Sequence, residues 1–159
     1  MSTQAVPAAA SGLPDTAWVR FLRAHAAVTR ELSSRLEAVH ELTLSDFDVL
    51  VQLYYAEERR MRRIDLARSV LLTASGITRL LDGLESSGLV GKERCDSDAR
   101  VTYAVLTDAG VKKIEEARDS HLADIEEVFG ARFSPQELQQ LAELLGRLPL
   151  AHTSEACSS

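Results

Sequence analysis

The sequence predicts a mainly α-helical fold with one small β-hairpin wing, and three observations lead to this prediction. Hydrophobic residues make up 45% of the chain and aromatic residues only 5%, which suits a helical protein rich in leucine and alanine. Apolar residues recur at helical spacing through most of the chain. Between residues 64 and 105 the spacing changes from helix to short connection, to helix, and then to strand, turn and strand. This order of elements describes a winged helix-turn-helix.

Two helices and a short connection form the first part of this module. The apolar positions are Ile64, Leu66, Ala67 and Val70 in the first helix, and Ile77, Leu80, Leu81 and Leu84 in the second. The second set repeats at i, i+3, i+4, i+7, which is the stripe of an amphipathic helix. Thr73 or Ser75 is expected to cap that helix, because a side-chain oxygen there accepts an orphaned backbone N–H. Gly88 is expected to end it.

The wing is predicted directly after Gly88. Leu89 and Val90 begin one strand, residues 95–98 form a polar tip, and the return strand carries Val101, Tyr103 and Val105 on alternate positions. Alternation of this kind is typical of a strand. The hairpin favours a DNA-reading module over an ordinary pair of surface helices.

The polar face of the second helix suits contacts with DNA bases. At 100° per residue, this face holds Ser75, Thr78, Arg79, Asp82 and Ser86. The first three lie near the N-terminal end, where a recognition helix reaches base edges in the major groove. Serine and threonine bond to several bases, and the arginine fork suits guanine or phosphate. For the helix alone, a solvent-exposed polar face is an equal alternative.

Charge is distributed unevenly along the chain. The formal net charge is −6, yet residues 59–100 hold nine basic and six acidic residues, a local balance of +3. A basic footprint on an acidic body is what phosphate contacts require, because the field at the contact face matters more than the total. The run from Arg59 to Arg63 alone is equally consistent with a solvated charged segment.

Several motifs in this region together resemble the MarR family of bacterial transcription regulators. The stretches LARSVLLTASGITRLLDGLESSGLV, DSDAR and VLTDAG carry the resemblance. Three departures from the family pattern are Leu71 at the usual turn glycine, Thr73 at the usual capping serine, and Ala99 at a common wing arginine. The resemblance and the helix face together predict DNA contacts at Thr73, Ser75, Gly76, Thr78, Arg79, Arg94, Asp98 and Arg100. The expected partner is double-stranded DNA carrying a pseudo-palindromic operator.

Long helices are predicted on both sides of the winged module. The first runs from Pro14 to about His40, and its stripe consists of Trp18, Phe21, Leu22, His25, Val28, Leu32, Leu36 and Val39. The Ser45–Asp48 segment has the form of a capping box for the next helix. Thr107 is expected to cap a helix from Asp108 to Phe129. Ser134-Pro135-Gln136-Glu137 predicts the start of a last helix, with Leu138, Leu141, Leu145 and Leu148 on its apolar face.

These elements predict one domain. Residues 1–13 are expected to be a disordered N-terminus, 14–150 a single MarR-like domain, and 151–159 a flexible tail. Within the domain, 42–107 form the winged helix-turn-helix, and 14–40 and 108–149 the dimerisation helices. Three long apolar stripes exceed what one small winged module needs to cover, so a two-fold homodimer is expected. The alternative is that these stripes cover only the module's own core.

Enzyme and metal chemistry find no support in the sequence. There is no phosphate-binding loop, no HExxH and no GxGxxG, so no catalytic site and no cofactor are predicted. The histidines, His25, His40, His121 and His152, are scattered, and Cys95 and Cys157 lack metal-ligand spacing. His25 and His121 fall on apolar stripes and are interpreted as core residues. No secretory signal or membrane span is recognisable, and a reducing cytoplasm is the expected location.

A small-molecule effector is implied by the resemblance, since MarR relatives commonly bind aromatic, phenolic or drug-like compounds between the dimer helices and the winged module. The candidate contacts are Trp18, His25, Asp48, Tyr54 and Tyr55, each of which also has an ordinary packing or capping role available. The expected function is therefore a homodimeric repressor relieved by such an effector. Two alternatives remain: a redox-sensing regulator that uses Cys95, and a winged helix that binds protein. An idle exposed thiol is the ordinary interpretation of Cys95.

Overall fold

Six helices and three short strands follow one another in the computed structural model, which describes residues 12–70 and 74–148. The helices are α1 (Leu13–His40), α2 (Leu44–Tyr55), α3 (Arg63–Ser69), α4 (Ala74–Ser86), α5 (Asp108–Val128) and α6 (Pro135–Leu145). The strands are β1 (Arg60–Arg62), β2 (Val90–Arg94) and β3 (Thr102–Leu106). The predicted mainly α fold with a hairpin wing is confirmed. The expected N-terminal and C-terminal tails fall mainly on residues 1–11 and 149–159, outside the described ranges.

The core is built around α2. Leu50 and Leu53 of this helix are fully buried, and α2 contacts α1, α3, α4, α5, β1 and β3. The predicted apolar stripe of α4 contributes Ile77, Leu81 and Leu84 to the same cluster. Burial of this apolar surface is the main force that joins the winged module to the long helices. The winged module is thus continuous with the helical body rather than a separate unit.

Side-chain caps fix where three of the helices begin. Thr43 Oγ1 accepts the backbone N–H of Asp46, and Asp46 Oδ2 accepts the backbone N–H of Thr43 at 2.9 Å, which completes a capping box for α2. The prediction of a box starting at Ser45 is wrong, because Ser45 already lies inside α2 and the cap stands two residues earlier. The predicted caps of α5 by Thr107 and of α6 by the Ser134–Glu137 box are confirmed.

The sheet contains one strand more than the sequence predicted. β1 joins the hairpin to give the antiparallel order β1-β3-β2, with Arg60 opposite Val105 and Lys92 opposite Ala104. Three residues rich in arginine carry no strand pattern, so β1 is recognisable only from its pairing. The buried positions of β3 are Ala104 and Leu106. Of the alternating set that predicted the strand, Tyr103 and Val105 lie on its half-buried outer face, and Val101 immediately precedes β3.

A tight turn joins α4 to β2. The Leu89 N–H donates to Leu84 O at 2.9 Å and the Gly88 N–H to Glu85 O at 3.0 Å, which is the Schellman pattern of helix termination. Gly88 has φ +73°, a left-handed conformation that glycine adopts without steric cost. The predicted end of the helix at Gly88 is confirmed. The wing therefore leaves the end of α4 in a fixed direction.

Ion pairs join the two long helices. Arg35 on α1 contacts Asp124 and Glu127 of α5 at 2.9 and 3.0 Å, and Glu31 of its own helix at 2.9 Å. These contacts draw down the pKa of the Glu127 carboxyl, chiefly through its hydrogen bond with Arg35. His40 Nε2 and Ser120 Oγ, 2.7 Å apart, form a second link between α1 and α5. α1 and α5 therefore pack along the C-terminal half of α1.

Two apolar surfaces of these helices remain uncovered in the single chain. The N-terminal half of α1 exposes Trp18, Phe21 and Leu22, and no residue of α6 is buried. The prediction of His25 as a core residue is wrong for this chain, because its side chain is exposed and stacks only beside Phe21. No helix within the described residues is long and apolar enough to cross a membrane.

Candidate nucleic-acid interface

α4 presents its polar face outward, as the sequence predicted. Its apolar stripe is buried while Thr78 and Arg79, on the other side, are exposed. Ser75 and Gly76 lie in the first turn of the helix, since α4 begins at Ala74. Ser75 therefore lies inside the helix, but its side chain is not among the described ones, and a cap of α4 by Thr73 or Ser75 stays a prediction. Thr73 lies outside the described residues.

Most of the basic residues between positions 59 and 100 are held by neighbouring side chains. Arg59 lies over the Tyr54 ring, Arg60 pairs with Glu58 and Glu93 and lies over Tyr103, and Arg62 bonds to Tyr103. Arg63 lies near Asp82, Arg68 near Asp65, and Lys92 near Glu85 and Asp82. A cation already matched by a carboxylate adds little to the field felt by a phosphate. Of these residues, Arg60, Arg63, Arg68 and Lys92 have carboxylate partners that offset their charge. Arg59 and Arg62 interact with tyrosines instead and have no ion-pair partner among the described residues.

Arg79, Arg94 and Arg100 form a different group. All three are exposed, and within the described residues none has an ion-pair partner. Arg79 lies on α4, Arg94 ends β2, and Arg100 lies in the loop between β2 and β3. These are the three arginines that the sequence selected as DNA contacts. The module thus offers unmatched positive charge on the recognition helix and on the wing.

Asp98 shapes the tip of the wing. Its Oδ1 accepts the backbone N–H of Arg100 at 3.0 Å, and its carbonyl accepts the backbone N–H of Val101 at 2.9 Å. The Cys95 N–H in turn donates to Val101 O at 3.1 Å, which extends the pairing of the hairpin toward the tip. A carboxylate that bonds to the backbone two residues on is a common device for holding a turn. Asp98 therefore acts on the backbone of Arg100 and not on its guanidinium.

Cys95 lies at the base of this tip and is half-buried. Its Sγ lies 3.1 Å from Ser97 Oγ. Hydrogen bonds from Ser97, first from its side chain and then from its backbone, lower the pKa of the Cys95 thiol. A lowered pKa raises the fraction of reactive thiolate. Cys157 lies outside the described residues.

The five candidate effector contacts do not converge on one place. His25 and Asp48 line a cavity of about 900 Å³ between α1 and α2. Tyr54 and Tyr55 line a smaller cavity of about 330 Å³ between α2 and α5. Trp18 lines neither cavity. Burial raises the pKa of the Asp48 carboxyl, partly offset by a hydrogen bond with Gln52.

His121 lies between the two cavities and lines both. Its side chain is only 6% exposed, its ring centre lies 4.5 Å from that of Phe47, and its Nδ1 is buried without a hydrogen-bond partner. Desolvation lowers the pKa of this imidazole. The prediction of a core histidine is thus confirmed for His121. Its position beside the cavities was not predicted, because helical spacing shows which face is apolar but not which space that face adjoins.

No cluster of histidine, cysteine, aspartate or glutamate with metal-binding geometry is found among the described residues. Sequence reasoning did not single out the ion pair of Glu85 and Lys92, whose side chains meet at 2.7 Å between α4 and β2. Their spacing of seven residues across a turn carries no helical or strand signal. Only the folded hairpin brings them together.

Comparison with known proteins identifies the family. Residues 31–117 match the family model described as "Transcriptional regulator SarA/Rot". The HTH-type transcriptional regulator YdgJ of Bacillus subtilis is 31% identical over 121 residues, covering 76% of this chain and 72% of YdgJ. These relatives are transcription regulators and not enzymes.

Solved structures agree with this assignment. AbsC, a MarR family transcriptional regulator from Streptomyces coelicolor, superposes with a TM-score of 0.78 and 29% identity, over 86% of this chain and 91% of AbsC. Sco3205, a MarR family regulator from the same organism solved in complex with DNA, gives a TM-score of 0.81 at 24% identity, over 89% and 88% of the two chains. This chain therefore belongs to the MarR family of winged helix-turn-helix transcription regulators.

Proposed function

We propose that the protein is a homodimeric repressor that binds a pseudo-palindromic operator and is released by a small-molecule effector. The observation that carries this proposal is the selective exposure of unmatched arginines. Arg79 on α4 and the wing residues Arg94 and Arg100 are without ion-pair partners in the described structure, whereas the basic residues around them are engaged. A recognition helix with such an arginine on its polar face suits base contacts, and the wing arginines suit phosphate or minor-groove contacts.

The uncovered faces of α1 and α6 support the homodimer. Trp18 is 59% exposed, Leu144 of α6 is 53% exposed, and apolar surface of this extent usually marks an interaction site. A second copy of the chain supplies a matching surface by two-fold symmetry. A two-fold dimer carries two α4 helices, which suit half-sites about 10 base pairs apart. Occupancy of such a site by the dimer blocks access to that DNA, which is why we propose repression.

The cavities on either side of His121 support an effector. One is bordered by polar groups that include Asp48 and His25, and the other by the Tyr54 and Tyr55 rings, whose centres lie 5.2 Å apart. A mostly apolar cavity with a few polar groups is typical of a small-molecule site. Both cavities lie where α2 meets the long helices. A ligand there would change how the winged module sits on the dimer body.

A thiol-based response is the second candidate, and the lowered pKa of Cys95 is the observation that favours it. Oxidation of this thiol would place a bulkier polar group at the base of the wing tip, next to the turn that Asp98 holds. The Cys95→Ser variant separates the two candidates. If it abolishes an oxidant response of DNA binding, Cys95 is the sensor; if the response is unchanged, it is not.

A direct test begins with a genome-wide map of DNA bound by the full-length protein, from which a palindromic operator is derived. Binding to that duplex and to a scrambled duplex is then measured by fluorescence anisotropy over a range of salt. We expect selective, salt-dependent binding at a ratio of two chains per duplex. Equal affinity for both duplexes, or no binding at all, would contradict the proposal and favour a winged helix that binds protein.

A further inference from the structure

We propose that Glu85 and Lys92 are positioning residues that set the angle between α4 and the wing (residues 90–106). In this role they allow Arg79 and the wing arginines to meet DNA at the same time. The inference rests on the proposed DNA-binding function. It gives a positioning role to two residues that were not predicted to contact DNA.

The two residues belong to a chain of alternating charges across three elements. Lys92 Nζ on β2 lies 2.7 Å from Glu85 Oε2 and 3.5 Å from Asp82 Oδ1, both on α4. Asp82 Oδ1 lies 3.8 Å from Arg63 Nη2, on the first residue of α3. The hydrogen bond with Glu85 is the largest cause of the raised pKa of Lys92. One lysine thus connects the recognition helix directly to the first strand of the wing.

Burial makes this connection difficult to break. The Glu85 side chain is only 19% exposed, and its Oε1 is buried without a hydrogen-bond partner. The Arg63 side chain is 24% exposed, and its Nη2 is likewise buried without a hydrogen bond. A charge in such a setting is costly unless a partner of opposite charge stays close. Lys92 is the nearest such partner for Glu85, so a wing that swings away from α4 leaves a buried carboxylate unpaired.

The position of the pair fits a brace between the two DNA-contacting elements. The wing is hinged to α4 by the turn at Gly88, and the pair joins the same two elements a short distance beyond that hinge. Asp82 and Arg79 are separated by three residues, so they are neighbours on one side of α4. Lys92 and Arg94 are two residues apart in β2 and therefore share a face of the strand. The Lys92 end of the brace is thus next to Arg94, and Asp82, the second carboxylate that Lys92 approaches, is next to Arg79.

Electrostatics and positioning give opposite expectations for one substitution. Removing the negative charge of Glu85 makes the already positive DNA-facing module more positive, and by charge alone the affinity for any duplex rises. Removing it also frees Lys92 to approach a phosphate. If Glu85 instead holds the wing at its working angle, the same substitution weakens binding to the operator. The sign of the change therefore separates the two roles.

The experiment measures operator and scrambled-duplex affinities of the full-length dimer by anisotropy. It uses Glu85→Gln, Lys92→Gln, the double variant, Lys92→Arg and the matched control Glu93→Gln. Glu93 precedes Arg94 on the opposite face of β2 and pairs with Arg60 of β1, so Glu93→Gln makes the same charge change and also breaks an ion pair, but not one that involves α4. We expect Glu85→Gln and Lys92→Gln each to lower operator affinity about ten-fold, within the range for residues in one ion-pair network. The double variant should lose no more operator affinity than either single variant. Lys92→Arg should keep most of the operator affinity, and Glu93→Gln should keep all of it.

Operator binding by Glu85→Gln that equals or exceeds wild type would overturn the proposal, as would additive effects of the two substitutions. Amide hydrogen exchange over residues 90–106, measured without DNA, supplies an independent readout. It should be faster in Glu85→Gln than in wild type and unchanged in Glu93→Gln; equal rates in all three proteins would also overturn the proposal. A wild-type protein that binds no duplex refutes the proposed function, while the exchange rates still decide whether the pair restrains the wing.

Discussion

Asp98 and Arg100 are joined through the backbone: the Arg100 N–H donates to Asp98 Oδ1 at 3.0 Å. The guanidinium of Arg100 takes no part in this contact and remains exposed at the wing tip. The Asp98 carboxylate therefore holds the backbone of Arg100 in place, while the guanidinium of Arg100 is left available for a phosphate or a minor groove. This division of roles is how an acidic residue two positions from Arg100 would aid the proposed DNA contact.

Removing the Asp98 side chain tests this relationship. We expect Asp98→Ala to weaken operator binding in the same way as loss of Arg100 but to a smaller degree, because a typical hydrogen bond contributes about 0.5–1.5 kcal/mol. Asp98→Asn is the matched control, since its amide oxygen still accepts the Arg100 N–H while the charge is gone. Anisotropy titrations of both variants check this. Equal losses of operator affinity in Asp98→Ala and Asp98→Asn would show that the charge of Asp98, rather than its hydrogen bond to the turn, supports binding.

Arg79 is expected to contribute to sequence preference. It lies exposed in the second turn of α4, on the polar face that is proposed to meet base edges. Loss of a bidentate base contact costs about 1–3 kcal/mol and relaxes preference at one position of each half-site. Arg79→Ala should therefore reduce the ratio of operator affinity to scrambled-duplex affinity. Arg79→Lys is the matched variant, because it keeps the positive charge but lacks the guanidinium that makes a bidentate contact. An unchanged ratio for Arg79→Ala would show that α4 does not read the bases.

Arg100 is expected to contribute to general affinity. Arg100→Ala should weaken binding to operator and scrambled duplexes alike, because a wing arginine meets the DNA backbone or the adjacent minor groove. Each neutralised phosphate contributes about −0.9 to the slope of log K against log salt, so the slope should become shallower by about that amount per lost contact. A salt titration of wild type and variant measures it. A slope that does not change would remove Arg100 from the phosphate contacts.

A different pair of variants tests the packing beneath the wing. A Cβ added to Gly110 would overlap the Leu89 carbonyl and the Leu106 side chain, whereas one added to Gly83 would meet nothing within 4 Å. Overpacking of this kind typically costs about 1–3 kcal/mol. Gly110→Ala should lower the free energy of unfolding by that amount. Gly83→Ala, in the middle of α4, should raise it by roughly 0.5–1 kcal/mol. Chemical denaturation with linear extrapolation measures both, and similar values for the two would contradict the packing seen here.

How much of the fold could be predicted from the sequence depends on how far apart in the chain the interacting residues are. Helices such as α4 and α5 were predicted well because their apolar stripes and caps are signals between residues three or four apart. β1 was missed because Arg60-Met61-Arg62 becomes a strand only by pairing with Tyr103, Ala104 and Val105 of β3. Pairing and packing also decide which face of β3 is buried, since alternation in the sequence indicates a strand but not its buried face.

The candidate DNA-binding and effector sites could be predicted only in part, because they also depend on contacts between residues far apart in the chain. Arg79, Arg94 and Arg100 could be selected from motif and position, and within the described structure none of them has the ion-pair or ring contact found for other basic residues of this segment. The pairing that neutralises Lys92 and Arg63 depends on how β2 and α3 pack against α4, so a count of charges along the sequence treats all nine basic residues as equal. The effector candidates were scattered over two cavities because helical spacing does not reveal which helices enclose a space.

The last prediction concerns the dimer. α6 buries none of its residues in the single chain, and Leu141 and Leu145 lie on its apolar face, half-buried. If a second copy covers this face, Leu141→Asp or Leu145→Asp places an unpaired charge in an apolar interface, which is very costly. Both variants should be monomeric by sizing with light scattering and should lose operator binding together, since one half-site supplies too little affinity. Gln140→Asp introduces the same charge at an exposed position of α6 and should leave both properties unchanged. Intact dimers for both leucine variants would remove α6 from the interface and leave the exposed N-terminal half of α1 as the remaining candidate.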